Sequence, residues 1–437
     1  MSALDYLYRF TNYENMGRYN YSRTTFDLER MRDVLGWCGH PDRAVPTRIH
    51  VAGTKGKGST TLLTAAILQE AGWRTGTYTS PHLEDIRERI AVNGDWIEQT
   101  ILDDHINALR EYLEIPRESL PPTFFDIMTT IALREFARQK CDAAALEVGL
   151  GGRLDSTNVV EPTITAITPV HYDHMDKLGN SLSKIASEKA GILKVGAPAI
   201  IGPQSPEAAE VIRDRAVKLG IQVWWLGKEI QVERADEESF AVVTPVREHR
   251  GLRLRAAGRH QRENAATAIG ICDWLNEHQE RSITLEHVQT ALSKTQLPGR
   301  IELFDQRQPR VILDSAHNEI SADALAETLR NSFEYERLFL VLGIASDKTV
   351  HSVLKALVPL ADQVFTTAAP SPRAMTPKDL AQAVLETTSG TVRSFELPVE
   401  ALRTAILEAS DDDLIVVAGS FYLAGELRPV LRKMGYE

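Results

Sequence analysis

Short apolar runs recur along the chain, separated by stretches in which apolar residues return at helical spacing. The runs are Arg48–Ala52, Gly72–Thr79, Ala143–Val148, Thr163–Thr168, Val311–Asp314, Leu338–Gly343, Gln363–Thr366 and Leu414–Ser420. Each is short and bounded by turn residues, which is how strands buried on both faces of a parallel sheet read. Between them, Leu62, Leu63, Ala66, Ile67 and Leu68 predict a helix from Ser59, and Ile127, Ile131, Leu133 and Phe136 predict another after Pro121-Pro122. Ser183 to Ile192 and Ala265 to Ile271 predict two more. Ahead of the first run, Phe26, Leu28, Met31, Val34 and Leu35 predict an amphipathic packing helix that ends near Gly36. Strands alternating with helices predict an α/β fold built on a parallel sheet.

Two places break the rhythm. Ile221–Trp225 and Phe240–Val243 predict a small antiparallel patch within residues 221–256. At Leu297-Pro298-Gly299-Arg300 a Pro-Gly pair ends a helix. Beyond it the strand–helix rhythm restarts, which predicts a larger domain over 1–297 and a smaller α/β domain over 298–437.

Polar chemistry gathers at the predicted strand ends. Gly53-Thr54-Lys55-Gly56-Lys57-Gly58-Ser59-Thr60 joins the first strand to its helix, with three glycines in six residues. Glycines let a backbone turn tightly around an anion, and a helix start offers free N–H groups at its positive dipole end. The stretch therefore reads as a phosphate cradle, although Gly58 between Lys57 and Ser59 departs from the common P-loop spacing. An ordinary strand-to-helix turn is the bland alternative. Ser80-Pro81-His82-Leu83 ends the second strand and leads through Arg87 and Arg89 to an Asn93-Gly94 turn, either a binding loop or solvated surface. Thr123 and Asp126 have capping-box spacing, and Phe124 and Phe125 read as core. Glu147 interrupts an apolar strand, so a cation partner is expected, because an unpaired buried carboxylate is costly. His171, Asp173, His174 and Asp176 after the Thr163–Thr168 strand suggest a metal site or plain surface. Lys189 lies among small and apolar residues, where burial lowers a lysine pKa; pairing with Glu188, or exposure, is the alternative. Asn264 faces either core or ligand.

Composition narrows the partners. The 437 residues carry 49 basic and 60 acidic side chains, a net charge of −11. A broad nucleic-acid or anionic-membrane surface is not expected, and an anionic substrate needs a local cluster. Cys38, Cys141 and Cys272 form no CxxC pair, so neither a disulfide framework nor a zinc site follows. No signal-peptide pattern opens the chain, and no run of roughly 18 apolar residues occurs. A cytoplasmic protein is expected.

Taken in order, HVAGTKGKGST, SPHLEDIRERIAVNG, TFFD, LEVGLGGRLDSTN, DHMDKLGNSLSKIASEKAGILK, GRHQRENA, LPGRIE, DSAHN and GSFYLAGE resemble the folylpolyglutamate synthase/dihydrofolate synthase family of the Mur ligase superfamily. The resemblance spans residues 48–426. It implies an N-terminal P-loop ATPase domain with a parallel sheet and a smaller C-terminal Rossmann-like domain. It further implies that Gly53, Thr54, Gly56, Lys57, Gly58, Ser59 and Thr60 hold the ATP phosphates, with Asn264, Arg300, Asp314 and His317 near the nucleotide. Ser59 and Glu147 would ligate one Mg²⁺ and His174 a second, supported by a carbamate on Lys189; a monovalent cation is a further implied cofactor. Ser80, His82, Arg89, Phe124 and Asp155 match the pterin side, and His317 and Ser420 the glutamate side. The implied reaction activates a dihydropteroate or reduced-folate carboxylate as an acyl phosphate, which the amine of L-glutamate attacks. Lys57, Glu147, His174 and Lys189 carry it in a monomeric enzyme.

This chain departs from the family at Lys55 (usually Asn), Asp126 (usually Glu), Ser315 (usually Gly) and Glu319 (usually Pro). Three rival readings stand beside the resemblance: a Mur-type ligase acting on a UDP-linked peptide precursor, a nucleotide switch, and a non-catalytic folate-binding protein. Against the switch, Ala345-Ser346-Asp347-Lys348 is only superficially like a guanine-reading element.

Overall fold

The structure is a computed structural model that describes residues 1–16, 21–22, 26–116, 120–234, 239–278, 281–346, 350–371, 373–388 and 390–436. Asp347 and Lys348 lie outside the described residues. The chain divides into two units. One comprises Met1–His82, Arg87–Leu254 and Arg262–Thr295; the other comprises Leu83–Ile86, Arg255–Gln261 and Gln296–Glu437.

The larger unit is built on strands β1 (Thr47–Ala52), β2 (Thr75–Tyr78), β3 (Ile90–Val92), β4 (Asp95–Trp96), β5 (Ala143–Glu147), β6 (Ile164–Ile167), β7 (Ala199–Ile201) and β8 (Val223–Trp225). They form one sheet in the order β4-β3-β2-β5-β1-β6-β7-β8. From β2 to β8 every neighbouring pair is parallel, and β3 and β4 add an antiparallel edge. The apolar run Ala143–Glu147 is buried throughout, between β1 and β2. Val223–Trp225 corrects an expectation, because it extends the parallel sheet beside β7 instead of joining an antiparallel patch. The cause is the helix Pro206–Leu219, which carries the chain back across the sheet as a parallel pairing requires. The antiparallel sheet that does form contains β9 (Gln231–Arg234), β10 (Phe240–Val243) and β11 (Glu248–Leu252).

The helix Phe124–Arg138 starts with the expected reciprocal cap. Asp126 N donates to Thr123 Oγ1 at 3.1 Å, and Thr123 N donates to Asp126 Oδ2 at 2.8 Å. The same buried carboxylate also accepts from Arg30 Nε at 3.0 Å and from Ser156 Oγ at 2.6 Å. Asp126 thus ties the packing helix Leu28–Trp37 to the loop after β5, which accounts for a charge in this interior position.

The smaller unit holds β12 (Glu302–Phe304), β13 (Arg310–Leu313), β14 (Leu338–Leu342), β15 (Gln363–Thr366), β16 (Thr391–Ser394) and β17 (Leu414–Ala418). Their order is β12-β13-β17-β14-β15-β16, parallel except for β12. Alternate residues feed opposite cores: Leu338, Leu340 and Leu342 pack on one face, Phe339 and Val341 on the other. This two-sided burial explains why these strands read as continuous apolar runs. The short segment Leu83–Ile86 belongs to this unit too. Glu84 pairs there with the buried Arg428, which also holds Glu302 at 2.8 Å. A Cβ on Gly425 would stand 2.0 Å from the Leu83 carbonyl oxygen, so only glycine fits beneath the segment. Among the described residues no helix is long and apolar enough to cross a membrane.

Candidate active site

β1 ends at Ala52, and the helix Lys57–Glu70 begins two residues before the expected Ser59. Gly56 caps it in the left-handed conformation, with φ +84°. Thr54 N and Lys55 N both donate to the Pro169 carbonyl, at 2.9 and 3.3 Å, which pins the loop to the end of β6. The amides of Lys57, Gly58 and Ser59 lie in the first helical turn, where a helix has no acceptors of its own. Among the described residues no backbone carbonyl outside the helix takes them. Three donors and the positive dipole end are therefore available to an anion.

Glu147, the last residue of β5, reaches this loop. Its Oε2 accepts from Ser80 N at 3.1 Å, and Lys57 Nζ lies 4.0 Å from its Oε1. The cation partner expected for Glu147 is thus Lys57. A Cβ on Gly58 would lie 3.3 Å from Glu147 Oε2. The glycine that breaks the P-loop spacing is the residue that lets the carboxylate approach the loop.

Lys189 ends the helix Leu182–Lys189 and is 4% exposed. Its Nζ donates to the Gly53 carbonyl at 2.7 Å. Burial, and then the ammonium of Lys57, push its pKa down to about 7. The alternative pairing with Glu188 does not form, because Glu188 is held elsewhere. It accepts from Arg153 Nε and Nη2 at 3.0 and 2.8 Å, and from the Tyr21 hydroxyl at 3.2 Å.

The cluster His171, Asp173, His174 and Asp176 does not converge. Among the described residues no three His, Cys, Asp or Glu side chains gather as a metal cage. His171 N donates to Thr54 Oγ1 at 3.1 Å, and His174 caps the short helix Met175–Leu178 with φ +47°. Partial burial depresses the His174 pKa; Asp173 opposes the effect, while Lys177, Lys57 and Lys189 add to it. His174 is thus within electrostatic reach of Lys57 and Lys189. Lys55 acts likewise beside His171, whose pKa falls through burial and then through the Lys55 charge.

The expected pterin-side residues are largely buried. Phe124 is 1% exposed and stacks on Tyr8, with ring centroids 6.0 Å apart. Asp155 accepts from Leu150 N at 2.9 Å and Thr157 N at 3.0 Å, and burial raises its pKa. Arg89 Nε donates to His82 Nδ1 at 2.9 Å, while its other nitrogens grip Glu14. Glu14 is a residue that sequence reasoning missed. It is 75 positions from Arg89, in a stretch without periodic pattern.

The smaller unit holds the remaining candidates except Asn264, which belongs to the larger one. Asp314 Oδ2 accepts from Ile301 N, and Oδ1 from Ala316 N, both at 2.7 Å. His317 Nδ1 lies 2.8 Å from the Ser315 carbonyl, and Ser420 caps the helix Phe421–Lys433. Arg300 donates to Ser315 Oγ, and its guanidinium lies 5.6 Å from the Phe421 ring centre. Burial, and then Arg300, lower the His260 pKa to about 4. The departures Ser315 and Glu319 both find partners. Ser315 receives Arg300, and Glu319 opens the helix Glu319–Ser332, where an acidic residue complements the dipole.

Residues 51–272 match the Mur ligase middle domain, and residues 299–421 the Mur ligase, glutamate ligase domain. The chain is 35% identical over 435 residues to the dihydrofolate synthase/folylpolyglutamate synthase of Bacillus subtilis (strain 168), covering 97% of this chain and 100% of that one. It is similar to the structure of E. coli FolC in complex with DHPP and ADP, at 27% identity and a TM-score of 0.83, covering 100% of this chain and 99% of that one. It is also similar to the bifunctional folylpolyglutamate synthase/dihydrofolate synthase of Yersinia pestis CO92 complexed with AMPPNP and Mn ion, at 29% identity and a TM-score of 0.83, covering 99% and 98%. The chain belongs to the folylpolyglutamate synthase/dihydrofolate synthase family of Mur ligases.

Proposed function

We propose that this ATP-dependent ligase adds L-glutamate to the carboxylate of dihydropteroate and of reduced folates, through an acyl phosphate. One observation carries the proposal: Glu147 is held between the Ser80 amide and Lys57 at the mouth of the glycine loop. The E. coli relative was solved with DHPP and ADP, and the Yersinia pestis relative with AMPPNP and Mn ion.

The substrate carboxylate attacks the γ-phosphorus of ATP, a C–O–P bond forms and ADP leaves. The amine of glutamate then attacks the acyl carbon, and inorganic phosphate leaves as the amide forms. The residues position and neutralise; none becomes a nucleophile toward substrate. Lys57 and the amides of Lys57, Gly58 and Ser59 bind the phosphates. In the larger unit Asn264 is assigned to the nucleotide and Ser80, His82, Arg89, Phe124 and Asp155 to the acceptor; in the smaller unit Arg300, Asp314 and His317 are assigned to the nucleotide, and His317 and Ser420 to glutamate.

Ser59 and Glu147 offer hard oxygen donors, which suit Mg²⁺. With no all-protein cage among the described residues, phosphate oxygens and water must complete the set, as is usual for this ion. His174 would hold a second metal, and such ions would supply charge neutralisation at the transferring phosphoryl group. Lys189 is the carbamylation site: its neutral Nζ adds to CO₂, an N–C bond forms and a proton is released. The buried neutral amine would thereby become an anionic carbamate.

The test is direct. Incubate the protein with MgATP, L-glutamate and either dihydropteroate or tetrahydrofolate, and weigh the products by mass spectrometry. A one-glutamate increment on both is expected; an increment on neither overturns the proposal.

A further inference from the structure

His50 lies within β1, paired with Leu146 of β5 and Thr165 of β6, and is wholly buried, yet the ligase chemistry above gives it no task. Its Nε2 lies 2.8 Å from Oγ1 of Thr157, which is buried too. That hydroxyl in turn donates to Asp155 Oδ1, which also accepts from Thr157 N at 3.0 Å, while Asp155 Oδ2 accepts from Leu150 N at 2.9 Å. A chain of three side chains therefore runs from the strand that ends at the glycine loop to Asp155, wholly within the larger unit.

The chain has a direction. A hydroxyl owns one proton to donate. With the Thr157 proton on Asp155, His50 Nε2 must be an N–H donor and Nδ1 must be bare. Nδ1 is buried and, among the described residues, has no hydrogen-bond partner. An orphaned buried acceptor is tolerated better than an orphaned N–H, so the surroundings select the same tautomer. Burial, and then the charge of Lys194, push the His50 pKa down to about 3, so the ring is neutral. On Asp155 burial raises the pKa, and the Thr157 hydroxyl is the largest influence against it. In the opposite tautomer His50 would take the Thr157 proton, and Asp155 would lose that donor and move toward its neutral form.

We propose that His50 is a positioning residue for acceptor binding: through Thr157 it fixes the aim and the ionised state of Asp155. The inference rests on the ligase function proposed above and on the assignment of Asp155 to the acceptor. The pterin ring of that acceptor carries N–H donors, which an ionised carboxylate receives without giving up a proton. The same carboxylate holds the Leu150 amide and so sets the loop beside it. His50, with no exposed surface, acts only through this chain.

The test uses full-length protein, calorimetric binding of dihydropteroate and steady-state kinetics. Thr157→Val keeps the shape and removes the hydroxyl. Its Kd and KM for dihydropteroate should rise roughly 10-fold, with the KM for ATP and kcat nearly unchanged. Thr157→Ser restores the hydroxyl and should return close to wild type. His50→Leu should match Thr157→Val, and His50→Gln, whose amide N–H stands in for Nε2–H, should recover most of the loss. Asp155→Asn should itself weaken acceptor binding, and in that background Thr157→Val should cost nothing further, because the chain already lacks its end. Nitrogen NMR of the His50 imidazole should show the proton on Nε2. Unchanged dihydropteroate binding in Thr157→Val or in Asp155→Asn, an equal loss for ATP, a full further loss in the Asp155→Asn background, or a proton on Nδ1 overturns the proposal. If His50→Leu fails to fold, the two Thr157 variants decide by the same criteria. Wild type that adds no glutamate to any acceptor overturns the ligase proposal instead; the tautomer and the Kd remain measurable, so the two failures are distinct.

Discussion

The glycine loop of the larger unit and the Asp314–His317 turn of the smaller one occupy equivalent places. Each leaves the C-terminal end of a parallel strand and enters a helix. Their hydrogen bonding is opposite. In the glycine loop the amides of Lys57, Gly58 and Ser59 have no backbone acceptor among the described residues, and Lys57 and Glu147 stand 4.0 Å apart, close but not in tight contact. In the other turn Asp314 folds back on the amides of Ile301 and Ala316, and His317 on the Ser315 carbonyl. One turn keeps its polar groups for a partner; the other spends much of its polarity holding its own shape. A turn with open amides and a turn closed on itself thus arise from the same topology by distributing hydrogen bonds differently.

The sharpest way to break this contrast is Lys57→Ala. Its kcat should fall roughly 1000-fold with little change in melting temperature, as measured by glutamate-dependent ADP release and calorimetry; a large loss of stability would make Lys57 part of the frame. Asp314→Ala should differ from Lys57→Ala by costing stability, whatever it also costs in activity. Two buried amides lose their acceptor, so unfolding free energy should drop by about 2–3 kcal/mol in urea titrations, and an unchanged stability would refute the self-bonded turn.

Lys189 offers a graded test. Its amine, with a pKa of about 7, is neutral above that pH and charged below it. Carbamate-dependent activity should fall by about tenfold per unit as pH drops below 7, and the drop should vanish in Lys189→Ala, which retains only a residual rate. The unfolded chain holds this proton up to its ordinary 10.5, so folding is penalised increasingly as pH falls from 10.5 to 7, and no further below. Lys189→Met should therefore gain stability over wild type across that window. The smallest effect is expected from Gly58→Ala, whose new methyl would press on Glu147 from 3.3 Å. A few-fold loss of kcat, about 1 kcal/mol, is expected without loss of nucleotide binding; no loss would mean that Glu147 yields freely.

Much of this organisation is legible in the sequence. Apolar runs such as Ala143–Glu147 and Leu338–Leu342 announce strands because burial on both faces leaves no room for alternation. The cap at Thr123 and the depressed Lys189 are local consequences of residue type and neighbourhood. What escaped was non-local. Val223–Trp225 looked like the neighbouring antiparallel strands because pattern does not record which sheet a strand joins. The histidines and aspartates of 171–176 are close in sequence, but among the described residues no three of them gather, and His174 pairs with Asp173 alone at 3.7 Å. Glu14 meets Arg89 only through tertiary folding, across 75 residues.

The segment Leu83–Ile86 has a consequence for the order of biosynthesis. It leaves the ribosome early, yet its seat is Gly425, together with Arg428, in the last helix. Domains usually fold as the chain emerges, N-terminal first, but here four early residues must wait for almost the whole chain to be made. A nascent chain arrested before residue 425 would leave the loop beyond Ser80 without its anchor. The seating of Leu83–Ile86 thereby waits until residue 428 has been made.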